Sequence, residues 1–182
     1  MRIHTLGPQM TDSYAAARAY QRHHPQLAVT ISGHLSFEQL FATLARYPNE
    51  YVLVPAAFKS EQLDASWGDL HYALLAQLTL CHSFITALDP LVVVARRHPD
   101  NQIGYTHAAT AQLLQRTVRA VSVQTCASKY LAYQAYQQNQ AAYVLTNERN
   151  VTLTADERLV KRFTPKMVWC LYRINSIGEE IS

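Results

Sequence analysis

Three short clusters of hydroxyl, amide and carboxylate residues could do chemistry in this chain. They are Gly7-Pro8-Gln9-Met10-Thr11-Asp12-Ser13, Ser122-Val123-Gln124-Thr125 and Thr146-Asn147. Each falls where strand-like patterning gives way to helix-like patterning. A helix start presents free backbone N–H groups and a partial positive charge, and neighbouring hydroxyls can add bonds to an anion. Such junctions suit a small carboxylate; each also reads as a plain helix cap, and their recurrence in both halves of the chain favours the ligand reading only a little. Of the eight histidines, His4 alternates with apolar neighbours and reads as a packed residue. His23-His24 falls at a helix end, and His34 follows a strand end, where a role in a site stays open. No histidine pair has metal-helix spacing. Cys81, Cys126 and Cys170 are far apart and form no CxxC, so neither a zinc site nor a disulfide framework is expected. Cys126 sits at an expected helix start, where a thiol can be activated, though a buried structural thiol fits as well. Without GxSxG, a P-loop or GxGxxG, serine-hydrolase and phosphate-cradle chemistry are disfavoured.

The 182 residues suit one domain or two small lobes. With 49% hydrophobic and 16% charged residues, the composition is globular and able to bury a core. A formal charge of +3, spread along the chain, excludes a nucleic-acid stripe. No run approaches the ~20 apolar residues of a membrane span, and the N-terminus lacks a secretory core. A cytoplasmic protein without metal or cofactor is expected, its partner a small molecule, with a homo-oligomer left open.

The elements that must position these clusters follow from patterning. Arg2 to Leu6 reads as a strand, Tyr14 to Arg22 as a helix capped within Thr11-Asp12-Ser13, and Leu27 to Ile31 as a second strand. Ser36 caps a helix through Tyr47, and Tyr51 to Val54 is a third strand. Residues 58 to 75 give no clear pattern, and Ala76 to Ser83 is strand-like. Leu91 to Arg96 is strongly β-branched. Thr106 to Gln115 reads as a helix capped by Thr106, Val118 to Val123 as a strand, and Thr125 as the cap of a helix through about Gln138. Ala142 to Leu145 and Val168 to Ile174 read as strands. Two successive β-α-β-α-β units imply parallel strands, with sites beyond their carboxyl ends. The expectation is an α/β protein of two lobes: residues 1–82 with a returning C-terminal strand at 163–182, and residues 83–162.

Thr5-Leu6-Gly7-Pro8-Gln9-Met10-Thr11-Asp12-Ser13-Tyr14-Ala15-Ala16 resembles the opening of the prephenate dehydratase family. The similarity is greatest to the branch represented by the prephenate decarboxylase of bacilysin biosynthesis. Val54-Pro55-Ala56-Ala57-Phe58, Ala120 to Leu131, Leu145-Thr146-Asn147-Glu148 and Val160-Lys161-Arg162-Phe163 follow in the same order. The resemblance implies a two-lobed α/β module like the type 2 periplasmic binding proteins, with an interlobe cleft for a carboxylate such as prephenate. It implies substrate contacts by Thr11, Ser13, Gln124, Thr125, Thr146 and Asn147. Because the chain ends at Ser182, a regulatory ACT domain is not expected.

Departures from the family pattern bear on the chemistry. Its Thr-Arg-Phe motif, whose threonine gives the leaving hydroxyl its proton, aligns with Val168, Trp169 and Cys170. Valine has no proton to give, so dehydration is disfavoured. Met10 stands where the family has glycine, and Ala56-Ala57-Phe58 replaces a polar stretch. The leading expectation is non-aromatising decarboxylation of prephenate or a close analogue, working by positioning and electrostatics. The alternative is a binding protein without catalysis, and residual dehydration ranks third. The acid that would protonate the ring is not assigned, with His34 and His82 its candidates.

Overall fold

A computed structural model describes residues 1–118 and 122–176. Its chain divides into two units, one of Met1–Thr86 with the described chain from Lys166 onward, the other Ala87–Pro165.

The first unit is built on a five-stranded sheet. Strands β1 (Arg2–Leu6), β2 (Thr30–His34) and β3 (Tyr51–Pro55) run parallel, and β12 (Lys166–Ile174) pairs antiparallel with β3. The order is β2-β1-β3-β12-β6, with β6 (Leu78–Ala87) at the edge. Helix α1 (Asp12–His23) crosses between β1 and β2, as the alanine-rich run predicts. The second strand starts three residues later than expected, because Ala28 turns left-handed (φ 44°) after a 3-10 turn at Pro25–Leu27. The helix expected from Ser36 to Tyr47 is broken into α2 (Phe37–Phe41) and a 3-10 turn at Leu44–Arg46. Ser36 does cap it, accepting from Gln39 N–H. The stretch without clear pattern forms a two-strand ribbon, β4 (Lys59–Ser60) with β5 (Ala65–Ser66), and helix α3 (Trp67–Ala73), capped by a Ser66–Asp69 capping box. The core joins Leu6, Val52 and Val54 of the sheet to Phe37, Leu40, Phe41 and Trp67 of the helices. Strand β6 carries this unit past the 82/83 division read from the sequence.

In the second unit the order is β11-β7-β10-β8-β9. Here β7 (Leu91–Arg96) is antiparallel to β10 (Ala141–Asn147), and the parallel set is β8 (Asn101–His107), β9 (Ser122–Cys126) and β10. The expected β-α-β-α-β run starting at Leu91 is therefore corrected: it starts one strand later. The Val92-Val93-Val94 run is apolar throughout because both its faces are covered. Val92 and Val94 pack with Tyr133 and Tyr136 of α5 (Lys129–Gln138), whereas Val93 packs with Leu114 of α4 (Ala111–Val118). Thr106, expected to cap a helix, lies inside β8, and α4 begins only at Ala111 after a 3-10 turn. A strand not foreseen, β11 (Glu157–Phe163), pairs with β7 along the sheet edge. Residues 119–121 of the expected Val118–Val123 strand, Ala120 of the resembling segment among them, lie outside the described residues. No helix among the described residues is long and apolar enough to cross a membrane.

Candidate functional site

In the first unit the carboxyl ends of β1, β2 and β3 gather several of the predicted segments. Gly7 N–H donates to the His34 carbonyl at 2.7 Å. A Cβ at position 33 would meet the Gly7 Cα at 3.3 Å and the Tyr14 ring at 3.4 Å, so this approach needs glycine there. Past Gly7 the chain enters α1 through Thr11. The Thr11 hydroxyl accepts from Tyr14 N–H at 3.2 Å and directs its one hydrogen to the Leu6 and Pro8 carbonyls, at 2.7 and 3.0 Å. That hydrogen is thus committed to its own loop. Ser13 is buried in the first helical turn. Ala56 N–H donates to the Val168 carbonyl at 2.9 Å, so the apolar third-strand end and the aligned valine stand side by side. Val168 is 42% exposed.

In the second unit Gln124 and Thr125 are not at a helix start, which corrects the expectation. Both lie within β9, held there by pairing of Tyr105 with Gln124, Thr106 with Thr125 and His107 with Cys126. Ser128 caps α5 instead, accepting from Leu131 N–H at 3.1 Å. Gln124 is exposed and Thr125 half-buried. Thr146, fully buried, donates to the Lys129 carbonyl at 2.7 Å and accepts from Asn150 Nδ2 at 3.0 Å. Asn147 is buried at the end of β10. Thr106 donates to the Leu145 carbonyl at 2.9 Å and contacts the Thr110 hydroxyl at 2.7 Å. Thr106 and Thr125 therefore stand in register, with Leu145-Thr146 on the other side of Thr106. The sequence reading missed this role of Thr106 by placing it on a helix. Two of the resembling segments are tied together by charge: Arg162 donates from Nε and Nη2 to both carboxylate oxygens of Glu148, at 2.9 and 2.8 Å. This hydrogen bonding holds the Glu148 carboxyl below the usual carboxylate range.

A chain of ionisable groups centred on a buried histidine, unforeseen in the sequence, also lies in the first unit. His4 is 1% exposed in the middle of β1. Its Nδ1 lies 2.8 Å from Nε2 of His34, and its Nε2 is bonded to the Glu50 carboxylate just ahead of β3. The Tyr47 ring packs on His4 at 4.2 Å between centroids, and Arg2 approaches Glu50 at 3.6 Å. Burial first, then the neighbouring His4, pulls His34 below its ordinary value of 6.5. The available signals were weak: a histidine on an alternating strand, another past a strand end and a glutamate before a third. His82, the other candidate acid, is exposed on β6 and stacks against Phe84. Among the described residues no group of three or more His, Cys, Asp or Glu could hold a metal ion.

No protein-family model matches the chain, and no curated protein matches it in sequence. Solved structures define its class: a two-lobed α/β fold of the periplasmic-binding-protein kind, shared with prephenate dehydratases. The prephenate dehydratase of Arthrobacter aurescens in complex with L-Phe superposes with a TM-score of 0.60 at 12% identity, over 99% of this chain and 63% of that one. The periplasmic VFT2 domain of Bordetella pertussis BvgS gives 0.57 at 16% identity, over 98% and 81%. The prephenate dehydratase of Staphylococcus aureus subsp. aureus Mu50 gives 0.54 at 12%, over 99% and 67%. The chain thus spans less than two thirds of the Arthrobacter protein, and identities this low show a shared fold alone.

Proposed function

We propose that this protein binds prephenate or a closely similar cyclohexadienyl dicarboxylate and removes its ring carboxylate without expelling the ring hydroxyl. This places it with the prephenate dehydratase family, in the branch of the bacilysin-biosynthesis decarboxylase. One observation carries the reading. Val168 sits beside Ala56 at the carboxyl end of β3, within the unit that also holds the Gly7–Ser13 loop. The position aligned with the dehydratase proton donor therefore carries an aliphatic side chain next to other apolar groups. A ring hydroxyl there gains no proton and stays, which leaves loss of the ring carboxylate as CO₂ as the open reaction. Ser13, Gln124, Thr125 and Asn147 are the polar residues assigned to the substrate; Thr11 shapes its loop, and the fully buried Thr146 hydroxyl, bonded to Lys129 and Asn150, holds the end of β10 in the same way.

The test is to incubate the protein with prephenate at neutral to mildly alkaline pH, following CO₂ and phenylpyruvate against heat-denatured protein. Protein-dependent CO₂ without phenylpyruvate is the expected result. Phenylpyruvate would restore the dehydratase assignment despite Val168. A second reading, carboxylate binding without turnover, is favoured by one observation: the Thr11 hydroxyl hydrogen is already bonded within its own loop. It predicts a prephenate-dependent rise in Tm with no product.

A further inference from the structure

We propose that Glu50, His4 and His34 form a proton relay whose outer atom, Nδ1 of His34, gives the proton that decarboxylation requires. The proposal deepens the decarboxylase reading and rests on it for the identity of the substrate. The hydrogen-bond directions follow from chemistry alone. An ionised carboxylate can only accept, so Nε2 of His4 carries the hydrogen directed at Glu50. In neutral His4 the other nitrogen, Nδ1, is then an acceptor and takes its bond from Nε2–H of His34 across 2.8 Å. This leaves Nδ1 of His34 with a lone pair and no hydrogen-bond partner among the described residues. His4, 1% exposed, is the inner link, whereas His34 and Glu50 on either side of it are half-buried, so His34 is an end of the chain open in part to solvent.

When Nδ1 of His34 is protonated, the charge is shared along the chain toward Glu50. A carboxylate orients and supports an imidazolium in the same way in hydrolase triads. The groups facing the pair are few. From β1 come His4 and Arg2, from the segment before β3 Tyr47 and Glu50, and α2 carries Glu38, which is bonded to Ser60. Arg2 reaches Glu50 but not the histidines. Burial and the neighbouring His4 keep free His34 a neutral acceptor near pH 7, and a dicarboxylate close by would favour its charged form, so that proton and ligand arrive together. In the chemical step the bond between ring carbon and carboxylate breaks and CO₂ leaves. The bonding pair shifts through the ring diene to a ring carbon, which takes the proton from Nδ1 of His34. Neutral His34 then regains a proton from water.

His34 is the catalytic residue here, with His4 and Glu50 positioning it. The experiment is NMR of histidine-labelled protein titrated with acid, for wild type, Glu50→Gln and His34→Gln, with and without prephenate, alongside the CO₂ assay. Expected are a His34 step that also moves the His4 signals, a shift of that step to lower pH in Glu50→Gln by roughly tenfold in proton affinity, and a shift to higher pH with prephenate. His34 titrating independently of His4 and unchanged in Glu50→Gln would overturn the relay. In the assay, His34→Gln loses CO₂ release by on the order of 100-fold or more while keeping the prephenate-induced rise in Tm. The acid limb of the Glu50→Gln rate profile moves with its NMR step. Undiminished release by His34→Gln would overturn its catalytic role. A wild-type protein that releases no CO₂ overturns the decarboxylase reading instead, and with it His34's catalytic role, while the titration still decides the relay.

Discussion

Replacing Glu157 by Gln should destabilise the second unit by about 2–3 kcal/mol. The side chain of Glu157 is 2% exposed and that of its partner Arg96 is 9% exposed, with 3.3 Å between them. Glu157 also accepts from Thr154 N–H at 2.9 Å, and the Arg96 guanidinium lies over the Tyr136 ring at 4.8 Å. Burial first, with the Glu157 carboxylate contributing, pushes the Tyr136 phenol upward, so tyrosinate does not substitute for the lost charge. Glutamine keeps the shape and the bond to Thr154 but removes the charge. Among the carboxylates of the described residues Arg96 would then have only Asp156, at 3.9 Å and one third exposed, a contact worth at most about 1 kcal/mol. Removing one partner of a buried pair costs about 3–5 kcal/mol, and the residual Asp156 contact places this case at or below the low end. At about 2–4 °C per kcal/mol for a chain of this size, Tm falls by roughly 4–12 °C. Both tryptophans, Trp67 and Trp169, belong to the first unit, so far-UV circular dichroism should follow the loss, with tryptophan fluorescence recorded in parallel to see whether the units melt together. The double variant Arg96→Met/Glu157→Leu should recover most of the loss, because neither buried charge is then left alone. A Glu157→Gln protein within about 0.5 kcal/mol of wild type, below the lower bound for a charge-assisted bond, would refute the reasoning.

Ser128→Ala should cost about 1 kcal/mol through the lost cap of α5, whereas Thr125→Ala leaves that cap intact; thermal melts of the two variants separate these positions. Gly33→Ala should destabilise by about 1–3 kcal/mol because its methyl would push on the Gly7 backbone, and urea melts would show it. His34, lowered below 6.5 on folding, stabilises the protein above pH 6.5, and that contribution fades as pH falls below 6.5 toward the folded-state value, since the unfolded chain binds more protons there. The stability of His34→Gln should therefore depend less on pH across that window, and an unchanged slope in denaturant titrations would count against it. Cys81 is exposed, while burial pushes the Cys126 and Cys170 thiols up; a thiol reagent at pH 8 should modify one site quickly, and Cys81→Ser should remove that phase.

Where a sequence signal and a tertiary demand coincided, the fold could be read directly. The alternation in Arg2–Leu6 and the branched Val92-Val93-Val94 run each met a sheet that required them. The errors have particular causes. In Glu157–Phe163 the register shifts between Leu159 and Lys161, which breaks the period-2 pattern, and an edge position leaves Arg158, Lys161 and Arg162 in water. Asn101–His107 was hidden by Gly104, which sits where a Cβ would touch Leu114 at 3.0 Å, so a residue that weakens a strand on paper makes room for α4. Thr106 and Thr125 looked like caps because a hydroxyl before a helical pattern is the usual sign of one. Pairing between β8 and β9 runs through both positions and delays the helices to Ala111 and Lys129.

The candidate site divides along a related line. Residues legible by motif are those whose neighbours in sequence already say what they do, and in this chain that local work uses their bonding capacity. Thr11 is the clearest example, since its hydroxyl is given to a loop four residues long and to the helix it caps. A group with a valence to spare for a ligand must be held by something other than its own loop, which requires contacts distant in sequence. His34 meets that condition: its partner His4 is 30 residues away, and His4 in turn bonds Glu50 at a separation of 46 residues, so only the pairing of β1 with β2 and β3 brings them together. No spacing rule could assemble that set. The same dependence explains why the polar residues of the resembling segments are informative about fold, while the group best placed to move a proton lies outside every one of those segments.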